Sequence, residues 1–284
     1  MPFTVPIDIA RQQFPDYEFL SALTPSAQKS AFHVRRGAQE FCLKIIAPNQ
    51  ALDRVQREVL AMQALQHANV VKLIEYEYSA RGGRARHYLI EEYVAGSDLS
   101  ALMPMGQAWR IEQIVSTFAP LCDGLAALEA SQIVHRDMKP SNVRVRSDGT
   151  PVIIDFGLAR LLDMESLTLS HEGAMIGTPN YFSPEQFKGT KRDIDNRTDL
   201  YALGVMLYQA AVGEHPSIRA HMQTLDELSD AVCTSVSYVN ESAFQALDPK
   251  LKLLVRRLLE KERAKRPASA VIVASLLRNL GGTR

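Results

Sequence analysis

His135-Arg136-Asp137-Met138-Lys139-Pro140-Ser141-Asn142, followed further on by Asp155-Phe156-Gly157, is the stretch on which the reading turns. It gathers an imidazole, a guanidinium, a carboxylate, an ammonium and an amide within one short segment. A second carboxylate then follows the β-rich run Pro151-Val152-Ile153-Ile154. A charged surface turn would account for the first group alone. A carboxylate at the end of a buried strand needs a partner, and a metal ion is a natural one. Phosphoryl transfer asks for such a set: a carboxylate beside the attacking hydroxyl, a cation for the phosphates, and oxygen ligands for Mg²⁺. On this reading Asp137 accepts the hydroxyl proton and Lys139 offsets charge on the moving group. Asn142 and Asp155 offer oxygens to a hard cation.

Upstream, Tyr17 to Leu23, Ser30 to Arg35 and Glu40 to Ile46 read as strands, the last with Phe41, Leu43 and Ile45 on one side. Leu52 to Leu65 has helical periodicity, and Val70 to Tyr78 with His87 to Tyr93 reads as a further strand pair. The basic turn between them, Ala80-Arg81-Gly82-Gly83-Arg84-Ala85-Arg86, reads as a solvated hairpin tip. Beyond Ala95-Gly96 the pattern is mainly helical, with a long amphipathic segment from Ile111 to Ser131 and an apolar core helix from Tyr201 to Val212. The class is α+β: a small antiparallel-sheet lobe with one main helix, then a larger, mainly helical lobe. The expected limits are a tail over residues 1–16, the smaller lobe over 17–94 and the larger over 95–284, with 17–277 forming one catalytic domain. A boundary near residues 94–96 leaves room for a ligand between the lobes.

Composition sets outer limits. The chain has 284 residues, 46% of them hydrophobic, which is enough for a sizeable core. Lys+Arg and Asp+Glu balance at 32 each, which gives no support for nucleic acid or an anionic membrane as partner. Cys42, Cys122 and Cys233 are odd in number and far apart, without a C-x-x-C pair. They favour a reducing, cytoplasmic setting over a disulfide framework or a zinc site. The N-terminus lacks the basic and apolar regions of a signal peptide, and no stretch reads as a membrane span.

With these residues in place, the chain resembles the eukaryotic-type protein serine/threonine kinases, bacterial versions included, over roughly residues 17–277. Lys139, two residues after Asp137, is similar to the serine/threonine branch rather than the tyrosine branch. The resemblance implies a γ-phosphoryl transfer from ATP to Ser or Thr of a protein substrate, with Mg²⁺ (or Mn²⁺) as cofactor and with autophosphorylation. It implies that Lys44 holds the nucleotide's α- and β-phosphates and that Glu58 on the following helix pairs with it; His67-Ala68-Asn69-Val70-Val71 fixes that alignment. Leu23, Ala31, Cys42 and Arg144 would line the adenine pocket, and the hinge Glu92-Tyr93-Val94 would offer it backbone hydrogen bonds.

Gly177-Thr178-Pro179-Asn180-Tyr181-Phe182-Ser183-Pro184-Glu185 resembles the end of an activation segment. Thr178 would brace Asp137 and Lys139. Glu185 would pair with Arg266, and Asp199 would anchor the catalytic loop's backbone. Arg136 would answer a phosphate on Ser166, Thr168 or Ser170, unless that loop is simply unmodified. A regulatory protein partner fits as the source of any input.

The departures matter as much. Between the first two strands stands Leu23-Thr24-Pro25-Ser26-Ala27-Gln28-Lys29-Ser30-Ala31, with Thr24, Ser26 and Lys29 where the family has glycines. Side chains there hold the backbone off the phosphates, and Pro25 removes an amide donor. Glu91 stands before the hinge, where an apolar residue is common. Three readings follow: an active serine/threonine kinase with an atypical nucleotide pocket, a pseudokinase acting as a binding or scaffold protein, and a small-molecule kinase of related fold. Retention of Lys44, Glu58, Asp137, Lys139, Asn142 and Asp155 argues for the first, and the segment ending at Glu185 argues against the third.

Overall fold

The computed structural model describes residues 2–26, 29–47, 59–83, 85–155, 179–189, 191–219, 222 and 224–281. The described residues divide into two compact units, one comprising those up to 67 together with 71–94, the other those of 68–70, 95–155 and from 179 onward. The first unit is built on a five-stranded antiparallel sheet. Its strands are β1 (Glu18–Ala22), β2 (Lys29–Arg36), β3 (Gln39–Ile46), β4 (Leu73–Ser79) and β5 (Arg86–Glu92), in the order β1-β2-β3-β5-β4. Period-two alternation sorts their side chains. Phe32 and Val34 of β2, Phe41, Leu43 and Ile45 of β3, and Tyr88 and Ile90 of β5 belong to one buried cluster.

That cluster is completed by the N-terminal segment, which the sequence suggests is a tail. Residues 2–16 instead carry helix α1 (Ile7–Gln13), and Val5, Ala10 and Phe14 are buried with Tyr17 and Phe19 in the same core. Phe14 meets Tyr88 edge to face at 5.2 Å, a favoured aromatic geometry. The reason lies in the residues this segment meets. The Val5 amide donates to Ser30 Oγ (2.7 Å), and the Ser30 hydroxyl donates to the Phe3 carbonyl (3.0 Å). The Phe3 amide donates to the Ser26 carbonyl (2.8 Å). The basic turn is likewise more than a solvated tip. Arg81 donates to the Gln13 carbonyl (2.9 Å) at the end of α1, pairs with Glu77, and lies over the Phe14 ring at 4.9 Å.

The second unit is mainly helical. Its longest elements are α2 (Ile111–Ala130) and α3 (Asn196–Val212), with α4 (Leu225–Thr234), α5 (Pro249–Leu258) and α6 (Ala270–Gly281). Every residue of α3 from Thr198 to Ala211 is buried, as expected of an apolar helix that other elements surround. It starts under an Asp195 cap, whose carboxylate accepts the Arg197 amide (2.9 Å), and ends at Gly213 in a left-handed conformation (φ 85°). A three-stranded sheet, β6 (Ser97–Asp98), β7 (Val143–Val145) and β8 (Pro151–Ile153), holds the segments that flank the catalytic stretch. Among the described residues no helix is long and apolar enough to cross a membrane.

Close approach of α3 to α5 is fixed by Gly204. A Cβ there would stand 2.6 Å from Leu258 Cβ, far inside contact distance. Gly204→Ala is therefore expected to destabilise the protein by about 1–3 kcal/mol through overpacking. Chemical denaturation would read this as a lower midpoint at unchanged slope; an unmoved midpoint would contradict the close approach.

Candidate active site

The stretch from His135 to Asn142 lies between α2 and β7 and is held from three sides. Asp199, buried on α3, accepts the His135 amide (2.7 Å) and the Arg136 amide (2.8 Å) on its two carboxylate oxygens. Burial pushes the Asp199 carboxyl up to about 7, against the pull of those two donors. The imidazole of His135, fully buried, has its pKa lowered by desolvation, which keeps it neutral at neutral pH. Its Nε2 then donates to the Ile154 carbonyl (3.0 Å), leaving Nδ1 to accept the Asp137 amide (3.3 Å). Helix Pro184–Phe187 supplies the third support: Gln186 Nε2 donates to the Arg136 carbonyl (2.8 Å).

Within this frame Asp137, Lys139 and Asn142 converge. Lys139 Nζ lies 2.9 Å from Asp137 Oδ2, and Asn142 Nδ2 donates to the same oxygen (3.0 Å) and to the Asp137 carbonyl (2.7 Å). Both donors therefore point at one oxygen of the Asp137 carboxyl group. The use of Asn142's nitrogen toward Asp137 directs its amide oxygen elsewhere. The Asn142 carbonyl accepts the Ile154 amide (2.9 Å), which ties the loop to the residue preceding Asp155. Arg136 (φ 65°) and Asp155 (φ 62°) both adopt the left-handed conformation, which non-glycine residues occupy at a cost of order 1–3 kcal/mol and which clusters at functional sites.

An amide oxygen and a carboxylate form an all-oxygen donor pair, which suits Mg²⁺ and not a soft metal. Among the described residues no group of three or more His, Cys, Asp or Glu side chains is set to hold a metal by itself.

Two supports were not legible as such in the sequence. Asn69 donates through Nδ2 to the Pro151 carbonyl (2.8 Å), and its own carbonyl accepts the Ile153 amide (2.9 Å), so it clamps the strand that leads to Asp155. Gly124 of α2 permits this, since a Cβ there would stand 2.8 Å from the Asn69 oxygen. Gln186 is the other, because 50 residues separate it from Arg136.

Further from the loop, Glu185 and Arg266 form a bidentate pair (2.7 and 2.8 Å). Thr198 Oγ1 adds a third donor to Glu185 (2.9 Å). Burial raises the Glu185 carboxyl, but hydrogen bonding to Arg266 and its charge outweigh this and leave it below the usual range.

In the other unit, Ala31 of β2 stands opposite Lys44 of β3, and Cys42 lies on the same strand two residues away. Lys44 is buried and forms an ion pair with Glu91 of β5. The Leu23 amide donates to the Ala31 carbonyl (2.9 Å) and the Ser26 amide to the Lys29 carbonyl (2.9 Å). Glu92 pairs through its backbone and carboxylate with the Lys72 backbone, and Val94 is buried. Arg144 belongs to the second unit, where its guanidinium bonds Asp98 (2.9 Å) and the Gly96 carbonyl. Glu58, Phe156, Gly157, Thr178 and the candidate phosphosites Ser166, Thr168 and Ser170 lie outside the described residues.

The family described as "Protein kinase domain" matches residues 29–277. The chain belongs to the protein kinase family. Among curated relatives, this kinase is 37% identical over 171 residues to the serine/threonine-protein kinase Pkn1 of Myxococcus xanthus, covering 59% of this chain and 23% of that protein. It is 33% identical over 243 residues to pkn2 of the same organism, covering 79% and 27%, and 30% identical over 242 residues to pkn3, covering 80% and 41%. The chain thus spans less than half the length of these relatives.

A second buried histidine of the kinase, His215, carries a pH dependence. Its Nε2 donates to the Asn180 carbonyl (2.8 Å), and Nδ1 accepts the amides of Ser217 (3.1 Å) and Ile218 (3.0 Å). Burial lowers its pKa to about 4. The unfolded chain takes up a proton near pH 6.5 and the folded one does not until about 4, so stability falls as pH drops through that window. The loss from His215 approaches about 3 kcal/mol by pH 4. Thermal midpoints of wild type and His215→Gln, followed from pH 7 to 4, should show a shallower decline in the variant; parallel curves would refute this.

Proposed function

We propose that this kinase is an ATP- and Mg²⁺-dependent enzyme that transfers the γ-phosphoryl group to Ser or Thr hydroxyls of protein substrates and also phosphorylates itself. The observation that carries the proposal is the convergence of Lys139 Nζ and Asn142 Nδ2 on one oxygen of Asp137. That arrangement holds the carboxyl group aimed, as a base for a substrate hydroxyl must be. Asp137 would take the hydroxyl proton as the oxygen attacks, and Lys139, released toward the phosphoryl oxygens, would balance their charge. Asn142 and Asp155 would hold Mg²⁺, or Mn²⁺ in its place. The ion, when bound, supplies charge neutralisation on the phosphates. Lys44 would bind the α- and β-phosphates, and the hinge from Glu92 to Val94 would offer backbone groups to adenine. Arg136 would bind a phosphate placed on Ser166, Thr168 or Ser170, and Thr178 would brace Asp137.

The names of the bacterial relatives favour turnover over a role limited to binding. Cys42, Cys122 and Cys233, none of them in a disulfide, suit a reducing compartment, so we place the protein in the cytoplasm. A balanced charge gives no reason to invoke nucleic acid, and a regulatory protein remains the expected input.

The test is incubation of pure protein and a generic protein acceptor with labelled ATP and Mg²⁺, beside Asp137→Asn and Lys44→Met. Label in wild type and in neither variant supports the proposal. Absence of label in wild type, with nucleotide still raising its thermal midpoint, would establish a pseudokinase instead.

A further inference from the structure

Glu91 is 3% exposed and Lys44 5%, so their ion pair is taken almost wholly out of water. The register explains how they meet. In the antiparallel pairing of β3 with β5, Lys44 stands opposite Leu89 and Cys42 opposite Glu91. Lys44 and Glu91 are thus diagonal neighbours on one face of the sheet, within reach of long side chains. Lys44 Nζ donates to Glu91 Oε2. An apolar residue at position 91 would fill the same space without the desolvation that a buried carboxylate requires, and buried ion pairs often contribute nothing net to stability. What the carboxylate does is hold an ammonium group where the β-sheet places it.

We propose that Glu91 is a positioning residue that acts through Lys44. Its carboxylate supplies, in the nucleotide-free protein, the negative charge that phosphate supplies when nucleotide binds, and so it sets how tightly nucleotide is held. The inference rests on the reading of Lys44 as the phosphate-binding lysine. Phosphate and Glu91 then draw on one cation. Loss of the Glu91 charge leaves the buried ammonium of the nucleotide-free protein without that counter-ion, whereas bound phosphates still compensate it. Nucleotide affinity therefore rises as nucleotide-free stability falls, a combination that a purely structural residue does not produce.

The experiment measures the Kd of Mg²⁺–ADP by calorimetry, and the thermal midpoint without nucleotide, for wild type, Glu91→Gln, Glu91→Asp, Lys44→Met and the double variant Lys44→Met/Glu91→Gln. Glu91→Gln should bind ADP about tenfold more tightly while melting at a lower temperature, as expected for one unit charge removed from a partly screened site. Glu91→Asp, which keeps the charge, should retain most of the wild-type affinity. In the Lys44→Met background the gain from Glu91→Gln should vanish. Unchanged or weaker ADP binding by Glu91→Gln overturns the proposal. So does an equal gain in the Asp variant, or a gain that persists without Lys44. Should Glu91→Gln fail to fold, the Asp variant and the Lys44→Met pair still decide. If Lys44→Met alone binds ADP as tightly as wild type, the underlying reading of Lys44 fails, whatever Glu91 does.

Discussion

Asp137→Asn is expected to lower kcat by about 10²–10⁴-fold, the range that a positioned general base contributes. The substitution keeps shape and removes only the basic oxygen. Its neighbours remain in place, because the loop is also held by backbone amides on Asp199, by the Gln186 bond to the Arg136 carbonyl and by the Asn142 bond to the Asp137 carbonyl, none of which the substitution touches. The thermal midpoint and the Kd for Mg²⁺–ADP should therefore stay close to wild type while turnover collapses. Single-turnover phosphorylation with saturating ATP separates the two effects. Turnover within a factor of about ten of wild type would remove Asp137 from the role of base.

Arg266→Met is expected to destabilise the kinase by about 3–5 kcal/mol, the usual penalty for stripping one partner from a buried ion pair. All five N–H donors of Arg266 are engaged. Two reach Glu185, and the others reach the carbonyls of Arg197 (2.9 Å), Glu260 (2.8 Å) and Lys261 (3.3 Å). The guanidinium also lies over the Tyr201 ring at 4.8 Å. Methionine fills much of the volume but leaves the Glu185 carboxylate buried, with Thr198 as its remaining described side-chain donor. For a protein of this size the loss corresponds to a fall in Tm of roughly 6–20 °C. The pH dependence has a definite sign. Glu185 is held below its ordinary pKa in the fold, so the pair stabilises above that ordinary value and its contribution is lost as pH falls through the lowered one. A midpoint within about 2 °C of wild type would show that the pair contributes little.

Much of the fold was legible because it is local. Alternating apolar residues marked β2 and β3, and an unbroken apolar run marked α3 as a helix enclosed by others. The convergence of Asp137, Lys139 and Asn142 was legible for the same reason: they lie within one turn of chain, so their spacing alone brings them together. Glu185 and Arg266 became a candidate pair only through family resemblance, since 81 residues separate them.

The N-terminal segment reads as a tail in the sequence because Phe3, Val5, Ala10 and Phe14 lack the density of a core element. Their burial depends on a sheet face built from distant strands and on Ser30, 25 residues from the Val5 amide that it receives. Arg81 likewise meets Gln13 across 68 residues.

The sequence by itself determined the family, the α+β class and the candidate groups of the site, because short spacings and strand or helix periods are written in consecutive residues. Tertiary structure alone decided what holds those groups. It put Asn69 on the strand before Asp155, Gln186 on the Arg136 carbonyl, residues 2–16 on the sheet, and Glu91 on Lys44. The physical reason is the same in each case. These contacts depend on register and burial between segments far apart in the chain, and a one-residue shift of β5 against β3 would turn Glu91 to the opposite face and leave Lys44 a different neighbour.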